Sequence, residues 1–315
     1  MKASLQRDTN ALVAAVETEL QPLPSVHDEI RRVPQPPFAN PGHRQSHAQL
    51  RERAAHALRM QNFAQAEQFA NEALKASRTD TAAASILAQA LMAQNRGGEA
   101  IALLEKAARR SGDATVETLL GAALGGAGRR TEAIEQLRRT AARRPPFLPA
   151  FQELAGQLDK AGRVDEAITV IEGGLELIPS SIDLQLDLAR LHLRRNARGK
   201  ARETLLKARE AAPGRPEILT ALARVLLLDG EYASAADAFR HALALRPDDA
   251  LTRADLGACL LEMGERDAGE ANLRAAARGR PQMLGRATYA LCVSSHGRFF
   301  FRPSAVAKFL RDEAG

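Results

Sequence analysis

The sequence predicts an all-α protein built as a solenoid of stacked antiparallel helix pairs. Three observations predict it. Prolines fall at Pro145, Pro179, Pro213, Pro247 and Pro281, each 34 residues after the last. At the average abundance of Pro, four further matches arise by chance roughly once in 10⁵. A second ladder of Gly128, Gly162, Asn196, Gly230 and Gly264 keeps the same step, and Gly297 follows one residue early. The chain is 45% hydrophobic but 4% aromatic, with no Trp. Its core must therefore come from Ala, Leu, Ile and Val, and Ala and Leu are strong helix formers while strand-favouring residues are scarce.

The elements follow from these marks. Gly and Asn tolerate the left-handed backbone that closes a helix. Pro prevents a helix from continuing and biases the residue before it away from helix. Each period thus reads as helix, tight turn, helix, stop. Within Pro216 to Asp249, Leu219, Leu222, Ala223 and Leu226 share one helical face, and Tyr232, Ala235, Phe239 and Ala242 share the next. Small residues recur where two helices must approach closely: Ala155, Ala189, Ala223 and Gly257 on the first helix, Ala133, Ala167, Ala201 and Ala235 on the second. Seven units start near His47, Thr81, Ala114, Leu148, Ile182, Pro216 and Ala250, and a degenerate eighth follows from about Met283, with its turn at Gly297. So short a unit is marginal alone, and stability must come from stacking on neighbours.

The order Leu154-Ala155, Gly162, Ala167, Ile171, Pro179 resembles the tetratricopeptide repeat (TPR). So does Leu256-Gly257, Gly264, Leu273, Ala276, Pro281, with Gly269 where Ala is usual. The resemblance implies a right-handed superhelix, here of bacterial type. It is specific for fold and nearly silent about chemistry, because the shared residues are packing residues. The expected organisation is an N-terminal tail over 1–46, seven repeats over 47–281, and a degenerate eighth repeat or pair of capping helices over 282–315.

In the tail, Asp8, Thr9 or Asn10 can cap a short helix carrying Leu12, Val13, Val16 and Leu20. The stretch after it holds Pro22, Pro24, Pro34, Pro36, Pro37 and Pro41, which reads as an extended linker. A sharper reading lays Val33 to Phe38 in the chain's own groove as a self-inhibiting peptide. At the other end, Phe299, Phe300 and Phe301 form the densest aromatic cluster; they cannot all point inward, so they divide between sealing the last repeat and a contact site.

Charge and composition exclude several classes. The net charge is +6, and the basic residues come as scattered doublets such as Arg109-Arg110, Arg129-Arg130 and Arg143-Arg144, each with an acidic residue close by. That is a solvated face and not the continuous stripe of a nucleic-acid binder, so no nucleic-acid partner is expected. No window approaches eighteen consecutive apolar residues, and the N-terminus lacks the apolar core of a signal peptide, so no membrane span and a cytoplasmic location are expected.

No catalytic, cofactor or metal site is expected. Ser294-Ser295-His296-Gly297 sets a hydroxyl near a base, but neighbours in sequence rarely have triad geometry. His43 and His47 lack a third ligand. Gly121, Gly125, Gly126 and Gly128 have neither the strand nor the Lys-Ser/Thr of a phosphate loop. His192 takes a slot on an apolar face and reads as a packed core residue. Cys259 and Cys292 fit no metal or redox spacing, and stacked repeats should hold them too far apart to bridge.

The resemblance also implies where a partner sits, since in the family the first helix of each unit lines the concave groove. The positions near the middle are Gln152, Gly156, Asp159, Lys160, Leu186, Arg190, Leu193, Arg194, Thr220, Arg224 and Leu227. Arg190, Arg194 and Arg224 form a basic cluster beside leucines, which fits a ligand mixing acidic and apolar residues. Against this, Asp187 lies one helical turn before Arg190 and can pair with it. Toward the N-terminus, Thr118, Ala122, Gly125 and Gly126 leave room for a bulky element such as a helix. The expected function is a scaffold or adaptor that binds a protein or peptide. Two alternatives stay open: a substrate-recruiting accessory subunit of a separately encoded enzyme, and a structural protein that self-associates through its terminal repeats.

Overall fold

One turn, used seven times, organises the computed structural model, which describes residues 46–300 and 302–311. Gln61, Asn95, Gly128, Gly162, Asn196, Gly230 and Gly264 all have φ between 56° and 82°. In each case the next residue donates its N–H to the carbonyl five positions back, from Asn62 to Ala57 through Glu265 to Leu260, at 2.8–2.9 Å. This bond satisfies a carbonyl that the helix end would otherwise leave bare.

Gly297 departs from the ladder. It is absent from the left-handed positions, and Arg298 donates instead to Leu291 at 2.7 Å. Gly is required there for a different reason: a Cβ would collide with the Leu291 carbonyl.

The described residues form sixteen α-helices and no strand. In chain order they are α1 (His47–Arg59), α2 (Phe63–Ala76), α3 (Thr81–Ala93), α4 (Gly97–Ser111), α5 (Ala114–Gly126), α6 (Arg130–Ala141), α7 (Leu148–Lys160) and α8 (Val164–Leu177). They continue as α9 (Ile182–Arg194), α10 (Arg198–Ala211), α11 (Pro216–Leu228), α12 (Tyr232–Leu245), α13 (Ala250–Glu262), α14 (Arg266–Ala277), α15 (Pro281–Val293) and α16 (Pro303–Arg311). The tail helix and Pro-rich stretch expected before Ser46 lie outside the described residues, as does Phe301.

The first helices start from defined caps. Asp80, Asp113, Ser181 and Asp249 each accept a backbone N–H of the first turn, and Pro216 and Pro281 occupy the first helical position. Pro281 thus opens α15, whereas Pro179, Pro213 and Pro247 stand just beyond the ends of α8, α10 and α12. Asp249 holds the N–H groups of Leu251 and Thr252 at 3.1 Å and the Thr252 hydroxyl at 2.7 Å. Burial opposes its ionisation most, but the bonds from Thr252 and Leu251, with Arg246 nearby, outweigh it and hold the carboxyl below its ordinary value. Asp249→Ala is expected to destabilise the protein by about 1 kcal/mol at neutral pH. Because the folded value lies below the unfolded one, this contribution is full above the ordinary Asp range and fades as pH falls through the folded value. Urea midpoints of parent and variant measured across pH should therefore converge on the acid side.

Within each pair, small residues set the separation. Ala155, Ala167, Ala189, Ala201, Ala223 and Ala235 are all essentially inaccessible. In α13 and α14 the equivalent residues are Gly257 and Gly269, and a Cβ on either would stand 3.0 Å from the other's carbonyl oxygen. Leu261 and Leu273 close over the same spot.

Between pairs, first helices touch first helices, as α5 does α7 and α7 does α9. From α2 to α14, no Cα atoms of consecutive second helices come within 8 Å. Stacking tighter on one side than on the other makes the array curve, with the first helices inside. The result is a superhelical solenoid.

Candidate docking surface

The inner face can be read by position along the first helices, each thirteen residues long. In α9 the ninth and thirteenth residues, Arg190 and Arg194, are exposed even though both flanking helices are packed in place. The same positions hold Gly156 and Lys160 in α7, Arg224 and Leu228 in α11, Ala258 and Glu262 in α13, and Tyr289 and Val293 in α15.

Of the three arginines expected to cluster, Arg190 and Arg194 share Asp159 while Arg224 is held by Asp255, so all three are already engaged. Asp159 accepts Arg190 Nη1 at 3.1 Å and Arg194 Nε at 3.0 Å. Asp187 accepts Gln152 Nε2 at 2.8 Å and Arg190 Nη2 at 3.4 Å. Asp255, buried, accepts Arg224 Nε at 2.8 Å and Arg286 Nε at 2.9 Å. Three aspartates thus serve four arginines. Arg190 and Arg194 stay about half exposed, so each pair adds little stability, of order 0–1 kcal/mol. Their effect is to fix the direction of the guanidinium groups. Lys160 is exposed and forms no ion pair among the described residues.

Leu186, Leu193 and Leu227 pack against the α9–α13 core and offer only an edge. Thr220 is a correction: it is buried, 3.2 Å from the Thr252 hydroxyl, which itself donates to Asp249. It is therefore an interior donor and not a groove contact.

At the C-terminal end the aromatic cluster divides. Phe300 packs on Phe309 with ring centres 5.4 Å apart, Phe299 is 73% exposed, and Phe301 is outside the described residues. Behind them, the buried Glu270 carboxylate accepts Arg298 Nε at 2.9 Å and Arg266 and Arg274 at 3.2 Å. Arg274 and Arg298 in turn lie 4.5 and 4.9 Å from the centre of the Phe309 ring.

The candidates for chemistry have other partners. Ser295 Oγ donates to Glu262 at 2.7 Å, and His296 Nδ1 lies 3.1 Å from the Leu261 carbonyl, so both tie the last loop to α13. His192 is buried, and that burial, with Lys200 nearby, lowers its pKa. Burial pushes the Cys259 thiol up to about 12, and Cys259 and exposed Cys292 are both free. Among the described residues no His, Cys, Asp and Glu cluster could hold a metal ion, and no helix is long and apolar enough to cross a membrane. His43 lies outside the described residues.

Two features are absent from the sequence reading. Between the second helices the outer side opens into crevices. One, of about 330 Å³, lies over Leu120 and Leu124 with Glu105, Glu135 and Arg139 at its rim. The other, of about 430 Å³, lies over Leu206, Leu222 and Leu226. The second missed feature is the inner-face placement of Tyr289 and Val293, 70% and 58% exposed. Counting from Pro281, the first residue of α15, reveals it; starting from Met283 shifts the register and hides it.

Comparison with known proteins agrees with this architecture. A tetratricopeptide repeat model matches residues 57–123 and 160–225, and a second model of the same description matches 216–249. Cellulose synthase operon protein C of Pseudomonas fluorescens (strain SBW25) is 34% identical over 113 residues, which is 36% of this chain but only 9% of that protein. Yeast Tom70 superposes with a TM-score of 0.65 at 15% identity, over 78% of this chain and 53% of that one. A tetratricopeptide repeat protein from Parabacteroides merdae gives 0.59 at 14% identity, over 78% and 99%. The Cut9–Hcn1 structure of the APC/C gives 0.53 at 17% identity, over 84% and 55%. With the repeated left-handed turns and the family-model matches both in hand, the chain belongs to the tetratricopeptide repeat family.

Proposed function

We propose that the chain is a protein-interaction scaffold that seats a segment of a partner protein along its inner face. The helix pairs from α1 to α14 act as seven repeats, and α15 with α16 as a degenerate eighth that closes the stack. The observation that carries this reading is the pair Arg190 and Arg194, held in fixed directions by Asp159 and Asp187 yet about half exposed on the curved side. Of Arg194 only Nε is engaged among the described residues, which leaves its terminal nitrogens for a carboxylate or carbonyl. Lys160, Gln152, Leu186, Leu193, Arg224 and Leu227 border the same face. A role in bringing substrate to a separately encoded enzyme would use this face too, and the partner's identity separates the two.

Site-specific photo-crosslinking in the source cell tests the reading. A benzoylphenylalanine at position 194 is expected to capture a protein partner, while one at position 139, on the rim of the outer crevice, is not. Capture from position 139 alone would move the site to the outer side.

A further inference from the structure

The inner face changes character along its length. In α7 and α9 the outward positions are Lys160, Arg190 and Arg194. From α11 onward Arg224 is drawn down onto the buried Asp255, and the exposed side chains are apolar: Leu228 is 51% exposed, Tyr289 70% and Val293 58%. Between them α13 presents the small, half-buried Ala258 at the ninth position. Glu262, the one carboxylate in this stretch of the row, is occupied by Ser295 N at 3.3 Å and Ser295 Oγ at 2.7 Å. An exposed Tyr and Val on a first helix are out of keeping with the row, because α9 fills the same two positions with arginines.

We infer that the partner segment is bipartite: acidic residues lie on α7 and α9, and one or two large apolar side chains seat on Leu228, Tyr289 and Val293. This rests on the reading of the inner face as the docking surface. Charge complementarity chooses the acidic end: on α7 and α9, Arg190, Arg194 and Lys160 stand against Asp159 and Asp187, and only Nε of Arg194 is engaged among the described residues. Exposed apolar area chooses the other end. Tyr289 supplies a large amphipathic surface at small entropic cost, the usual character of a binding anchor. The spacing sets a length. Packed helices stand about 8–10 Å apart, so the three steps from α9 to α15 span about 24–30 Å. An extended segment covers that in about eight or nine residues, and a helix in about sixteen to twenty.

The test is selection from a phage-displayed library of random 20-residue peptides on the full chain, followed by fluorescence anisotropy of the winners labelled with fluorescein. The winners are expected to carry acidic residues at one end and Leu, Phe or Trp at the other. Tyr289→Ser with Val293→Ser should weaken them about tenfold or more with an unchanged salt dependence. Lys160→Gln with Arg194→Gln should weaken them comparably and flatten the salt dependence. All four positions are on the surface, and circular dichroism of each variant should match the parent. Winners sensitive to the Lys160 and Arg194 variant but indifferent to the Tyr289 and Val293 variant would overturn the bipartite inference and leave the docking face standing. Winners indifferent to both variants would overturn the two together.

Discussion

Glu270→Ala is expected to destabilise the C-terminal end by about 3 kcal/mol and to release α16 from the stack. The carboxylate is buried and gathers Arg266, Arg274 and Arg298. Removing it leaves Arg274, the most buried of the three, beside no counter-charge, and leaves Arg298 unanchored. Those two guanidinium groups flank the Phe309 ring, so losing Glu270 also loosens contacts worth about 0.5–1 kcal/mol each. Hydrogen exchange should rise sharply over 303–311 and change little in α1 to α10, because repeat arrays couple mainly to nearest neighbours. Glu270→Gln keeps the shape and one acceptor and should cost clearly less. If the Ala variant protected 303–311 as well as the parent does, the Glu270 cluster would not be what holds α16.

Gly269→Ala carries the second large effect, about 1–3 kcal/mol of destabilisation from overpacking. The family's usual residue is the harmful one here. Where Ala faces Ala in the preceding pairs, α13 and α14 approach through two glycines, and a new Cβ meets the Gly257 carbonyl at 3.0 Å and Leu261 at 2.8 Å. The backbone oxygen cannot rotate away, so the helices must part and Leu261 and Leu273, both fully buried, lose contacts. Urea denaturation should show the loss, and Gly257→Ala should reproduce it. If Gly269→Ala were stabilising, as the helix propensity of Ala alone dictates, the close approach would not be what fixes this pair.

What could be read in advance follows from which physical constraints are local. The left-handed turn demands Gly or Asn at a fixed place, so Gly128, Gly162, Asn196, Gly230 and Gly264 announced themselves. Asn95 and Gln61 make the same turn and went unread, because no Pro ladder accompanies them there. The buried alanines were legible for the same local reason. The ion pairs were not. Asp187 is close to Arg190 in sequence, but Asp159, which orients both Arg190 and Arg194, sits on the preceding first helix and is matched only by stacking. Asp255 and Glu270 carried no signal in the sequence, because only the folded array brings Arg224 and Arg286 to the one and Arg298 to the other. Thr220 looked like a groove residue since its helical position is right, but stacking buries it against Thr252 of the next first helix.

The absence of contact between consecutive second helices has a mechanical consequence. A stack whose second helices pack on the following first helix but not on one another resists sliding of its inner helices and is less stiff against opening or closing on the outside, where crevices lie over Leu120, Leu124, Leu222 and Leu226. It therefore behaves as a leaf spring with its neutral line near the first helices. Changes of pitch are absorbed by the gaps and not by the packed interior, so the curvature of the face can adjust to its load while the positions of Arg190 and Arg194 relative to Asp159 hold.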